Sequence, residues 1–172
     1  MAEKRYSFSW DFIGDLETGR PNLGPSVRVE VYRLMQFTLR DILETRLGTE
    51  EVDDAFREAG RLAGLEFHKR YFREITEFND YIRTLQQTLR SMGIGILRVE
   101  EADMEKHSFI FTVSEDLECS GLPETDYEIC VYDEGFISGL MEGYTGKPYK
   151  TWEVDCWCTG DRTCRFSTEL VE

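Results

Sequence analysis

From Cys130 to Cys164 the chain reads CVYDEGFISGLMEGYTGKPYKTWEVDCWCTGDRTC, and the reading of this stretch decides the fold. Gly135, Gly139 and Gly143 recur every fourth residue, which predicts a helix over about 127–144 with a smooth groove along one face. A glycine inside a helix costs about 0.5–1 kcal/mol relative to alanine, so three of them imply a neighbour packed close enough to compensate. Two short strands are expected next, over 149–158 and 163–170, joined by the turn Thr159-Gly160-Asp161-Arg162.

A second pattern overlaps the first. Cys156 lies on a strand that turns and comes back through Cys164, so both thiols can face one point. Cys130 arrives from the helix. Glu153 precedes Cys156 by three residues, where a bend or bulge would turn both inward. Zinc takes thiolate and carboxylate ligands, usually four in a tetrahedron, so this is a candidate site tying the helix to the terminal hairpin. Two alternatives stay open on spacing alone. The cysteines can be buried without any ligand, as free thiols commonly are. Cys158, two residues from Cys156, can also replace Glu153 and give an all-thiolate site. Cys119 has no local partner and reads as a plain thiol.

Upstream, three amphipathic helices are expected, over about 27–47, 49–71 and 77–92. The first places Val27, Val31, Leu34, Thr38, Ile42 and Leu47 near one face. The second carries Ala59, Gly60, Ala63 and Gly64, small enough to admit another backbone. The period then shortens to two. Residues 93–101 and 107–114 read as an antiparallel hairpin across a five-residue loop at 102–106, with Phe109, Phe111 and Val113 on one face. An acidic loop covers 115–126. Helices, hairpin, helix and hairpin in that order give an α+β fold, with helices packed on a mostly antiparallel sheet. Residues 27–172 form one domain. Residues 1–26 form an N-terminal arm, in which Tyr6, Phe8, Trp10 and Phe12 alternate with polar residues and share one face of an extended segment.

The totals bound the function. The chain has 172 residues, enough to bury a core without disulfides. Its formal net charge of −14 excludes a nucleic-acid footprint, which needs clustered lysine and arginine, and disfavours docking on anionic lipid. No stretch is apolar for the length a bilayer requires, so membrane insertion is not expected. An odd count of five cysteines and the lack of an export signal point to the reducing cytoplasm.

The run 128–166 resembles the 4-vinyl reductase domain family. The matching marks are Cys130, the Gly135/Gly139/Gly143 helix, Glu153-x-x-Cys156 and Gly160-Asp161-x-x-Cys164-x-Phe166. The segment 59–64 is similar, more loosely, to a second block of that family. In the phenol-sensing transcription activators that carry the domain, a cysteine, a glutamate and two cysteines at this spacing bind zinc. The resemblance therefore implies Zn2+ on Cys130, Glu153, Cys156 and Cys164. It also implies the fold of vesicle-tethering TRAPP subunits, an apolar cavity as in those proteins and the haem nitric-oxide-binding domains, and homodimers. Because the sequence ends at Glu172, the sensors' ATPase and DNA-binding domains are not expected, and any output would pass through a partner.

Phe67, Tyr71, Phe109, Phe111, Tyr132 and Phe136 are the candidates to line such a cavity, and His107 is a candidate polar contact for a hydroxyl. The chain lacks a nucleophile elbow, a phosphate-cradling glycine loop, an HExxH motif and a dinucleotide fingerprint, so it is not read as an enzyme. The leading expectation is a zinc-containing binding protein for a small hydrophobic or aromatic molecule, a sensor or carrier. The second is a dimeric interaction protein whose cavity is closed or filled by lipid. A third, an accessory to a tetrapyrrole vinyl reductase, rests on the family's name alone.

Overall fold

The period-two run at Phe109–Val113 becomes the spine of the sheet. In the structure, a computed structural model describing residues 5–171, the strands are β1 (Ile96–Asp103), β2 (Ser108–Ser114), β3 (Tyr149–Asp155) and β4 (Cys164–Leu170). They run in the order β1-β2-β4-β3, every neighbouring pair antiparallel. The central pair β2–β4 sets Phe111 opposite Phe166 and Val113 opposite Cys164. Phe109, Phe111 and Phe166 are fully or almost fully buried. The α+β architecture read from the sequence is thus the observed one.

Among the described residues five α-helices accompany the sheet: α1 (Leu16–Gly19), α2 (Val29–Leu47), α3 (Thr49–Tyr71), α4 (Phe78–Ser91) and α5 (Val131–Thr145). The α4 helix lies on β1 and α5 on β3, and α3 covers α5. Tyr81, Ile82, Leu85 and Leu89 of α4 meet Ile137, Leu140 and Met141 of α5 in one core. Tyr81 satisfies its buried hydroxyl by donating to the Leu140 carbonyl at 3.0 Å.

The two small-residue runs find each other. A Cβ on Gly60 would stand 2.0 Å from the Tyr132 carbonyl oxygen, and one on Gly135 would stand 2.0 Å from that of Arg57. Gly64 and Gly139 are equally tight, at 2.2 Å from Phe136 O and Arg61 O. This crossing of α3 on α5 supplies the close neighbour that the helix-interior glycines required. Arg57 Nε to Glu134 Oε2 at 2.6 Å and Arg61 Nε to Glu142 Oε2 at 2.7 Å flank it.

Four expectations are corrected. The arm is not an extended strand, because residues Trp10–Ile13 form a 3-10 helix that folds Trp10 onto Phe67 and Tyr71 and leaves Tyr6 and Phe12 exposed. The α5 helix begins at Val131 instead of about 127, which puts Cys130 at its N-cap. Strand β3 stops at Asp155, and a 3-10 helix at Trp157–Thr159 takes Cys158 out of the strand face of Cys156. Finally, the apolar face of α2 is turned to solvent. Val31, Leu34, Met35, Leu39 and Ile42 are exposed, while the inward face carries Tyr32, Arg33 and Gln36, the last buried.

Candidate functional site

The terminal hairpin, the N-cap of α5 and the loop after β2 converge on one point. Cys130 caps α5, Cys164 opens β4, and Cys156 follows an irregular register between Glu153 and Asp155, the bend that spacing required. The fourth thiol is Cys119. The Sγ atoms of Cys119, Cys130, Cys156 and Cys164 all lie within 4.8 Å of one another, and all four residues are buried. Cys119 Sγ stands 3.1 Å from Cys164 Sγ, and Cys130 Sγ 3.7 Å from it. A tetrahedron with Zn–S of about 2.3 Å has S···S edges of about 3.8 Å, so the donor set fits a zinc-sized ion.

Cys119 reads as a plain thiol in the sequence because its partners lie far away along the chain. Asp116 holds it in place, its Oδ1 accepting from the N–H groups of Glu118 and Cys119 at 2.7 and 3.1 Å. Glu153 stands beside the thiols, outside the set of four. Its Oε2 accepts weakly from the Cys130 N–H at 3.4 Å, while the buried Oε1 has no partner among the described residues. Burial and the neighbouring Cys156 push its carboxyl up to about 9. Hydrogen bonds from Cys119, Cys130 and Cys164 pull the Cys156 thiol well below its usual range, and burial raises Cys158 to about 12. Cys158 is buried outside the cluster.

Beside the thiols lies a hollow with aromatic walls. A cavity of about 360 Å³ is lined by Trp10, Tyr32, Phe67, Tyr132 and Phe136, with Glu118 and Asp133 at its polar end. A smaller one of about 30 Å³, under the sheet, shares Ile94, Asp133 and Phe136 with it and adds Phe111. Of the rings singled out in the sequence, Phe67, Tyr132 and Phe136 line the larger cavity and Phe111 the smaller. Phe109 packs in the core between Phe78 and Tyr149, and Tyr71 meets Trp10 edge-on at the surface. His107 sits in the β1–β2 turn with Nδ1 2.8 Å from the Tyr149 hydroxyl, away from both cavities.

No sequence pattern points to the polar end of the cavity. Glu118 is 2% exposed; the Tyr32 hydroxyl donates to its Oε1 at 3.1 Å and its Oε2 is unpartnered. Asp133 Oδ2 is likewise buried without a partner. Burial and the charge of Asp116 push Glu118 up to about 8, and burial with the charges of Asp116 and Glu118 raises Asp133 well above the usual carboxylate range. In both, burial and the neighbouring carboxylates outweigh what favours the ionised form, the distant Arg40 charge at Glu118 included.

Comparison with known proteins agrees with this architecture. The model of the 4-vinyl reductase domain family matches residues 109–170. Two proteins of Methanocaldococcus jannaschii are similar: Uncharacterized protein MJ1642, 34% identical over 56 residues, and Uncharacterized protein MJ0150, 22% identical over 163 residues. The first match spans 33% of this chain and only 35% of MJ1642; the second spans 93% and 87%. A vinyl-4-reductase family protein of Methanocaldococcus jannaschii has a similar structure, with TM-score 0.60 and 15% identity over 87% of this chain and 85% of that one. The phenol-responsive sensory domain of the transcription activator PoxR, solved with phenol, gives 0.65 and 16% over 84% and 75%. Trafficking protein particle complex subunit 3 of Naegleria fowleri, covalently bound to palmitic acid, gives 0.64 and 12% over 84% and 95%. At these identities the likeness is one of fold. No helix among the described residues is long and apolar enough to cross a membrane.

Proposed function

We propose, from the 4-vinyl reductase domain that residues 109–170 match, that this chain is a binding protein for a small apolar or aromatic molecule, held in shape by a structural zinc ion. The observation that carries the reading is the aromatic cavity of about 360 Å³ between the N-terminal segment, α2, α3 and α5. Its size and apolar lining with a few convergent polar groups suit a small ligand. Two proteins of the same fold, the phenol-responsive sensory domain and the trafficking subunit, were solved with phenol and palmitic acid, which supports a fold that accommodates apolar molecules.

Zinc is proposed on Cys119, Cys130, Cys156 and Cys164, with Cys119 in the place that the resemblance gives to Glu153. Such an ion would act as a closed structural site that joins the loop after β2, the start of α5 and the terminal hairpin. Glu153 would then orient Cys130 through its main-chain N–H.

Native mass spectrometry of the purified chain, followed by melting scans with phenols, aryl compounds and fatty acids, tests the binding function. A retained apolar compound, or a melting temperature raised by one of the added compounds, is expected. A chain that retains nothing and responds to none of them overturns the reading.

A second reading, pairing with another copy, has its own observation. The exposed row Val31, Leu34, Met35, Leu39 and Ile42 on α2 is an apolar face that nothing in the chain covers among the described residues. A homodimer through α2 is the proposed arrangement.

A further inference from the structure

We propose that the larger cavity selects an organic ammonium ion, an amine or quaternary ammonium with an apolar body, and seats its charge against Glu118 and Asp133. This rests on the small-ligand reading above and assigns the head group that reading left open.

Glu118 is 2% exposed and lines the cavity, and one of its carboxylate oxygens, Oε2, has no hydrogen-bond partner. Asp133 lines the same cavity and its Oδ2 is buried without a partner too. Asp116, the third carboxylate of the group, is already occupied by the N–H groups of Glu118 and Cys119. Two unpartnered acceptors on residues that line one hollow ask for donors, and a ligand that carries both donors and positive charge answers both demands.

No lysine or arginine among the described residues lines the cavity, and Arg33 and Arg40, the latter acting on Glu118 only at a distance, make their own contacts elsewhere. Arg33 donates Nε to the Leu117 carbonyl at 2.8 Å and Nη2 to that of Ser120 at 2.9 Å. Arg40 pairs with Glu44 and Asp53. Among the described residues, no lysine or arginine forms an ion pair with Glu118 or Asp133.

The walls favour the same class. Trp10, Tyr32, Phe67, Tyr132 and Phe136 present rings, whose faces carry negative charge density and attract a cation. Rings and carboxylates together repel a carboxylic acid and leave a neutral alcohol without its charge complement.

Calorimetric titration of the full chain with phenethylamine, 2-phenylethanol and 3-phenylpropionate tests this at neutral pH. Phenethylamine is expected to bind at least about tenfold more tightly than the alcohol, with no binding of the acid. Glu118→Gln, which keeps the shape and removes the carboxylate that a bound ammonium would draw into its ionised form, should reduce amine affinity by about tenfold while leaving the alcohol nearly unchanged. Asp133→Asn provides the same test in case Glu118→Gln, beside Cys119, fails to fold. An alcohol that binds as tightly as the amine, or an amine indifferent to both variants, overturns the ammonium assignment and leaves the small-ligand reading standing. If none of the three binds, the ammonium assignment falls, and the retained-ligand and melting measurements above decide the small-ligand reading separately.

Discussion

Cys119 Sγ lies 3.1 Å from Cys164 Sγ although 45 residues separate them in the chain. The contact joins the loop after β2 to the first residue of β4, and Val113 opposite Cys164 in the sheet brings the two within reach. It makes Cys119 the fourth thiol, in the place for which spacing alone offers Glu153 or Cys158.

The purified chain should therefore carry about one zinc ion, as a closed four-ligand site requires. Cys119→Ser is expected to lower zinc occupancy and the melting temperature sharply, because structural zinc binding is coupled to folding. Glu153→Gln and Cys158→Ser should keep the metal. Elemental analysis of the three variants checks this, and loss of zinc in Glu153→Gln equal to that in Cys119→Ser would restore Glu153 as a ligand.

At the crossing of α3 and α5 no side chain fits. A Cβ at Gly64 would sit 2.2 Å from the Phe136 carbonyl oxygen and 2.9 Å from the Leu140 nitrogen, both main-chain atoms. Gly64→Val is expected to destabilise the fold by about 3 kcal/mol or more, since only a shift of one helix can relieve it. Gly19→Ala, where an added Cβ meets nothing within 4 Å, serves as the control. Urea denaturation separates the two, and equal midpoints would contradict the packing.

His68 lies against Tyr81, ring centroids 5.7 Å apart, and its ring fills the space beside Gly143. Burial holds its pKa below the ordinary 6.5, so the folded state prefers the neutral ring. The unfolded chain then binds the proton more readily, and this contribution to stability is intact above 6.5 and is lost as pH falls through the folded value. Wild type should lose more stability than His68→Gln between roughly pH 7 and 5. Identical pH profiles in chemical denaturation would remove His68 as the cause.

The exposed face of α2 predicts self-association. Leu34 and Ile42, 68% and 49% exposed, stand two turns apart on it. Leu34→Glu with Ile42→Glu should convert a dimer to a monomer and leave the zinc content unchanged, because a charge buried in an apolar interface without a partner is strongly unfavourable. Light scattering across a concentration series measures it. A wild-type chain that stays monomeric throughout refutes the pairing.

The legible part of this protein is the part written in local periods. Alternation at Phe109–Val113 specifies a half-buried strand, and the spacing of Gly135, Gly139 and Gly143 demands a helix with a close neighbour. The same logic fails for the N-terminal aromatics, because Trp10 finds Phe67 and Tyr71 to pack on and the segment coils to reach them. It fails again for α2, whose periodic apolar face suggests a core face and points outward. Periodicity tells that a face is apolar; it does not tell what covers it.

By itself, then, the sequence determined the α+β order, the glycine seam and the gathering of Cys130, Cys156 and Cys164 around the terminal hairpin. These features depend on residues close in the chain or on backbone geometry that side-chain size dictates. Only the tertiary structure decided that Cys119 completes the thiol cluster, that Glu153 stands beside it, and that Glu118 and Asp133 share one cavity. The physical reason is common to all three. In each case the partners come from segments far apart in the chain, and how the sheet and helices close around them, not a local period, fixes which side chains meet.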